Sequence, residues 1–402
     1  MWKTTLAAIA VCAFAPVALA QGWPACGRVD AYPGEEWRQA DPGRRGWDEA
    51  RLEEARALFE SMDSAAVMVV HRGRQIAAWG SVEAPYTAQS VRKALLNSLV
   101  GLEIADGDLR LNAILAEMNI DDADPPLTAS ERRATLRDLL MSRSGIFHSA
   151  LYEVGGWTRL RQALAQREQE ADRDLYGPGD YWIYSNWDFN ALGTIVERAA
   201  GEDIGPLFAR RIARPIGMQD FRAESVEYTT REHPAEQRFN NVSEHRAYVF
   251  DITTRDLARY GVLYLGCGRW RGEQVVPRDW VLESIVGRDT RDGRGPEERE
   301  TGFDWYGYLW QVDHPGTGRY TTLPLREPMY MATGARGHVM FVIPYLDLVI
   351  AHQVATVGGV GMEAQLRRAT QGSPEVSDAD IGRLAAAIIR AHPQGDAALL
   401  AQ

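Results

Sequence analysis

The sequence predicts an α+β fold in which one antiparallel sheet draws strands from both ends of the chain and a mainly helical part lies between them. Three observations lead there. Short apolar segments of strand spacing occur at 65–79 and again at 306–354, whereas helical spacing dominates the residues between. Both strand-forming ends carry an amphipathic helical segment, at 47–62 and 379–391, able to cover a sheet. The 402 residues, 45% hydrophobic and 25% charged, supply a large core, with no repeat or low-complexity linker to divide it.

In chain order, the first twenty residues read as a secretory signal: basic Lys3, an apolar run from Leu6 to Val17, and small residues at Ala18-Leu19-Ala20. That run is short for a bilayer, and no later segment approaches about 20 apolar residues. The expected product is one catalytic unit over 21–402, periplasmic or secreted, with no integral membrane segment once the signal is removed. Its sheet-containing part is 21–89 with 240–402, and its mainly helical part is 90–239. Residues 65–70 and 75–79 form a hairpin about His71-Arg72-Gly73-Arg74. Ser90 then opens a helix that runs toward Asp106-Gly107-Asp108. Thr135-Leu136-Arg137-Asp138 has the form of a capping box, starting a helix over 136–143. Further helices are expected at 188–200, 206–213, 253–265 and 277–286, and an exposed charged loop at 287–302. Strands return at 306–312, 329–333, 338–343 and 346–354, and the last helix, 379–391, is capped by Ser377.

A formal charge of −11, or −12 without Lys3, opposes a nucleic-acid partner. Past the signal two cysteines remain, Cys26 and Cys267; an oxidising compartment permits their pairing, and two free buried thiols fit the sequence equally well. No P-loop, dinucleotide fingerprint, G-x-S-x-G elbow or H-E-x-x-H spacing occurs, so neither a cofactor nor a metal is expected.

The chemistry-bearing residue is Lys93, the only lysine after the signal, three residues beyond a serine in Ser90-Val91-Arg92-Lys93. Arginine serves every other cationic position. Lysine differs in being able to lose its proton when buried and act as a base. One helical turn brings the Ser90 hydroxyl to that amine, the geometry of a serine nucleophile with a lysine base. Tyr184-Ser185-Asn186, read as a loop before a helix, offers a phenol for proton relay and an amide able to grip a substrate amide. Ala332-Thr333-Gly334-Ala335 places small residues at a strand end, where a substrate can approach closely. The N–H groups of Ser90 and Ala335 make an oxyanion hole if both face one point. Aromatic residues crowd these segments, at Tyr181, Trp182, Tyr184 and Trp187 and at Trp305, Tyr306, Tyr308 and Trp310, as pocket walls or as core.

In order and spacing, S-V-R-K at 90–93, Y-S-N at 184–186 and A-T-G at 332–334 resemble the penicillin-recognising serine hydrolases. The likeness is to the branch of class C β-lactamases, D-alanyl-D-alanine carboxypeptidases, esterases and 6-aminohexanoate dimer hydrolase, and it extends from about Ala65 to about Val354. It implies a β-lactamase/transpeptidase-like fold, an antiparallel sheet flanked by helices beside an all-helical subdomain. Ser90 becomes the acylated nucleophile, Lys93 its base and Tyr184 the proton relay. Asn186, Thr333 and Gly334 position the substrate, and Ser90 and Ala335 form the oxyanion hole. Where carboxylate-recognising members carry lysine or histidine ahead of T-G, this chain has Ala332. That favours a neutral ester, amide or peptide-like small molecule as substrate. A β-lactamase or carboxypeptidase using Arg336 as carboxylate anchor is the alternative, and a non-catalytic peptide-binding envelope module the second.

Overall fold

The computed structural model describes residues 26–153, 173, 176–238, 241–291, 304–355 and 374–400. The signal-peptide reading over 1–20 and most of the 287–302 loop lie outside these residues. The principal helices are α1 (Glu49–Glu60), α2 (Arg92–Asp106), α3 (Leu136–Leu140), α4 (Asn186–Ala200), α5 (Thr254–Leu265), α6 (Arg278–Ser284) and α7 (Asp378–Ala391). The strands are β1 (Ser64–His71), β2 (Arg74–Gly80), β3 (Pro85–Thr87), β4 (Val226–Thr229), β5 (Ala247–Thr253), β6 (Arg288–Asp289), β7 (Trp305–Tyr306), β8 (Gln311–Asp313), β9 (Met329–Gly334), β10 (His338–Ile343) and β11 (Leu348–Val354).

Eight strands make the main sheet in the order β2-β1-β11-β10-β9-β8-β7-β6, antiparallel throughout. β1 joins the two ends of the chain, pairing with β2 on one side and with β11 on the other. The β1–β2 turn is Arg72-Gly73, both left-handed at φ +52° and +77°, as a two-residue hairpin requires. A side chain on Gly73 would also stand 1.8 Å from the Ala31 carbonyl oxygen, so glycine is needed there twice over.

Because side chains alternate along a strand, the sheet divides two cores. Val67, Val69, Phe341, Ile343, Leu348 and Ile350 face the terminal helices α1 and α7. Met68, Val70, Met340, Val342, Val349 and Ala351 face α5 and the helical part. Each α1 or α7 contribution follows helical spacing, as in Leu52, Ala55 and Phe59, or Ile381, Leu384, Ala385 and Ile388. α5 approaches closely because Gly261 lies against Val349, where an added Cβ would sit 2.5 Å from Cγ1.

Four readings change. α3 stops at Leu140 because Ser142 adopts φ +56°, and its hydroxyl is taken by residues 183 and 185. The strand expected over 306–312 is split into β7 and β8. Leu309 is left-handed at φ +63°, and Gly307 N donates to Trp310 O (2.8 Å), closing a turn. Within the part read as mainly helical, 90–239, the stretch 107–135 consists mainly of turns and one 3-10 segment, Glu131–Arg133. A second sheet, β3-β5-β4, takes its strands β4 and β5 from 226–253, where no strand was expected. Its central strand, AYVFDIT, is almost wholly buried. Cys26 and Cys267, left open by the sequence, are disulfide-bonded.

Candidate active site

Ser90 lies in a 3-10 turn, Gln89–Val91, that leads directly into α2. The turn begins with Gln89 at φ +50°, a strained conformation for a side-chain-bearing residue. β9 and β10 pack against it. The tightest point is Gly334, where a Cβ would meet Ala88 O and Gln89 Cβ at 2.9 Å. The glycine of the third segment is therefore required by the approach of β9 to the turn that carries the serine.

One turn into α2, Lys93 is 2% exposed. Its Nζ donates to Ser90 Oγ at 2.8 Å and also to the Tyr184 hydroxyl. The same ammonium lies over the rings of Tyr184 and Phe189, 4.4 and 4.7 Å from their centroids. Tyr184 is held by its neighbours in sequence. Ser142 Oγ donates to Ile183 O (2.7 Å) and accepts from Ser185 N (2.8 Å), fixing the backbone on both sides of the phenol. Ser185 caps α4 by accepting from Asp188 N, and buried Asp188 accepts from both the Ser185 and Ser144 hydroxyls. Tyr184 lies in the loop the sequence predicted, Ser185 is the N-cap of α4, and Asn186 is the first helical residue, two positions before the expected start at 188.

Ser90, Lys93 and Tyr184 come together. Asn186 has a different engagement: its Nδ2 donates to Glu153 Oε1 at 2.9 Å, so one amide hydrogen is held by a buried carboxylate. Thr333 Oγ1 donates to Gln311 Oε1 (2.6 Å). β8 pairs with β9 only from Met329 to Met331. Among the described residues the outer edge of Ala332–Gly334 is left without a ladder partner. Ala335 opens the next 3-10 turn, Ala335–Gly337. Ala332 is buried, and Arg336 directs Nη1 to Glu375 at 3.6 Å.

Ser142, Ser144, Glu153, Asp188 and Gln311 escaped the sequence reading, since isolated polar residues carry no spacing signal. Of the aromatic residues, Tyr181, Trp187, Tyr308 and Trp310 are core, while Trp182 links Tyr184 to Tyr306 through ring contacts of 6.4 and 5.6 Å. A cleft of about 590 Å³ lined by Gly34, Arg214, Gln219, Trp270 and others contains none of the site residues. Among the described residues no group of three or more His, Cys, Asp or Glu side chains could hold a metal ion, and no helix is long and apolar enough to cross a membrane.

The sequence model of the β-lactamase family matches residues 52–371. Esterase EstB of Burkholderia gladioli is 29% identical over 151 residues, covering 34% of this chain and 38% of that protein, so well under half of this curated relative is matched. A provisionally assigned β-lactamase from Bacteroides dorei superposes with a TM-score of 0.56 at 15% identity, over 85% of this chain and 99% of the other. A provisionally assigned 6-aminohexanoate-dimer hydrolase from Bacillus anthracis gives 0.55 at 16% identity, over 88% and 92%. These two likenesses are likenesses of fold.

Proposed function

The chain belongs to the β-lactamase family, and from that premise we propose that it is an exported serine hydrolase that cleaves a neutral ester or amide through an acyl-enzyme on Ser90. The observation that carries the reading is the position of Lys93 Nζ, 2.8 Å from Ser90 Oγ and in contact with the Tyr184 hydroxyl. As Ser90 Oγ attacks the substrate carbonyl carbon, its proton passes to the Lys93 amine. The carbonyl π-electrons move onto oxygen, facing the N–H groups of Ser90 and Ala335. When the tetrahedral intermediate collapses, the bond to the leaving group breaks and Tyr184 supplies the proton it needs, itself reprotonated from Lys93. Water then attacks the acyl-Ser90 carbonyl, giving a proton to Tyr184 as Tyr184 passes its own to the Lys93 amine; the acyl–Oγ bond breaks, Lys93 returns that proton to Ser90 Oγ, and the acid is released. Substrate backbone groups pair along the open edge of Ala332–Gly334. Export agrees with the Cys26–Cys267 disulfide.

Two features direct the specificity toward neutral substrates. Ala332 supplies no charge, and a lost charged hydrogen bond is worth about 1.5–3 kcal/mol. Arg336, the candidate anchor for a β-lactamase or carboxypeptidase, is turned to Glu375. The test is kcat/KM on p-nitrophenyl butyrate and on a chromogenic β-lactam, with Ser90→Ala as blank. A Ser90-dependent preference for the ester is expected. Preference for the β-lactam overturns the specificity, and absence both of turnover and of a phosphonate adduct on Ser90 leaves a binding module.

A further inference from the structure

The Ala335 N–H assigned to the oxyanion lies in a turn that needs outside support. Ala335–Gly337 joins β9 to β10, and two of its three residues are left-handed, Arg336 at φ +68° and Gly337 at φ +98°. That conformation costs a non-glycine residue free energy and persists only where the surroundings hold it. One support is Val376 N, which donates to Arg336 O at 3.1 Å. The other is His352 on β11, whose Nδ1 lies 2.6 Å from Gly337 O. Its Nε2 lies 2.8 Å from Ser64 Oγ, at the start of β1.

These two partners fix the state of the ring. Gly337 O can only accept, so Nδ1 carries the hydrogen and donates it. In the neutral ring Nε2 is then an acceptor, and the Ser64 hydroxyl donates to it. The residue is 1% exposed, and burial holds its pKa down at about 4, so the ring is neutral near pH 7. His352 stands opposite Val67 on β1 and Val339 on β10, inside the sheet. By strand alternation it shares the terminal-helix face with Ile350 and Val354, among apolar residues. An aliphatic side chain would fill that place with no polar ring to satisfy. It could not bind the Gly337 carbonyl.

We propose that His352 is a positioning residue for the oxyanion hole, its Nδ1–H holding Gly337 O so that the Ala335 N–H stays aimed at the substrate carbonyl oxygen. It acts from the far face of the sheet, through one short turn. Without the hydrogen bond the turn loses one of its two supports, and the donor moves off the point where negative charge develops. A donor of that kind counts mainly in the transition state, so misplacing it lowers kcat more than it raises KM. This rests on Ser90 being acylated and on Ala335 donating to the oxyanion.

The experiment compares kcat and KM on p-nitrophenyl butyrate for the wild-type chain, His352→Leu, His352→Gln and His352→Asn. An asparagine amide reaches the place of the ring Nδ1, and a glutamine amide that of Nε2. In His352→Leu kcat is expected to fall about tenfold, less than the roughly 10²–10³-fold loss on removing an oxyanion donor outright, with KM within about threefold. His352→Asn should recover most of that loss, and His352→Gln should not. Affinity for 1-butaneboronic acid, whose tetrahedral adduct on Ser90 puts an oxygen in the same hole, should weaken in proportion to kcat/KM. Melting curves establish that each variant is folded under the assay conditions. Wild-type kcat in His352→Leu, a loss carried by KM alone, equal recovery by asparagine and glutamine, or failure of all three variants to fold each overturn the proposal and leave His352 a structural residue. Failure of the parent reading is separate: it shows as absence of Ser90-dependent turnover in the wild-type chain itself.

Discussion

The two faces of the main sheet are built by the same strands and do different work. Toward α1 and α7 the buried side chains are nearly all aliphatic or aromatic; of the polar exceptions, Trp47, His71 and His392 meet one another and His352 meets Gly337 O and Ser64 Oγ. Toward the helical part the core also encloses Arg92, Lys93, Tyr184, Asp188 and Arg259. Burying such groups costs free energy unless each is satisfied. The face that lacks them is free to maximise apolar packing. The face that holds them gives up some apolar packing and carries the proposed nucleophile and base. Apolar packing and the proposed chemistry thus sit on opposite sides of one sheet only a strand's thickness apart.

That contrast is open to attack from either side. The largest effect belongs to the inner face: Ser90→Ala and Lys93→Arg should each lower kcat/KM by at least about 10⁴-fold, with melting temperatures close to wild type. Full activity in Lys93→Arg would mean that the position needs only charge, and the comparison would fail. Next comes the outer face, where Ile388→Ala should lose about 2–5 kcal/mol in denaturant unfolding. Turnover by the fraction still folded should be unchanged, because Ile388 belongs to the cluster on the terminal-helix side. A matching fall in its kcat/KM would show that the two faces are coupled.

The smallest effect is a pH dependence of stability on the outer face. His71 Nε2 and His392 Nε2 are 3.4 Å apart, and burial holds both rings at about 4. The unfolded chain, with ordinary imidazoles near 6.5, binds more protons between these values. Stability is therefore complete above about pH 6.5 and declines as pH falls toward 4, by on the order of 2–3 kcal/mol for the pair. Melting curves at pH 7 and 4.5 measure it. His392→Gln should flatten the dependence, and an unchanged slope would assign the acid sensitivity to other groups.

How far the sequence could be read varied with the kind of signal. The β1–β2 hairpin, α5 and α7 were legible because periodicity, turn residues and caps agreed. The boundaries of α3 and α4 were not, since Ser142 and Ser185 act through partners more than forty residues away or through a cap whose partner is not the first apolar residue. β5 was passed over because its neighbours in the chain are polar, although its own residues are buried between β3 and β4. In the site, Ser90, Lys93 and Tyr184 could be named from spacing and resemblance. The Asn186–Glu153 bond and the Arg336–Glu375 pair could not, as each depends on where a loop brings a carboxylate.

By itself the sequence determined the local choices: which segments extend or coil, where turn residues close a hairpin, and that Lys93, one of two lysines in the chain, lies one helical turn from a serine. These follow from steric and periodic rules that act over a few residues. The tertiary structure alone decided that Tyr184, 91 residues from Lys93, meets its amine, that Cys26 meets Cys267, and that Arg92 is buried. Burial and proximity set the energy of a charge, and both are properties of the packed chain.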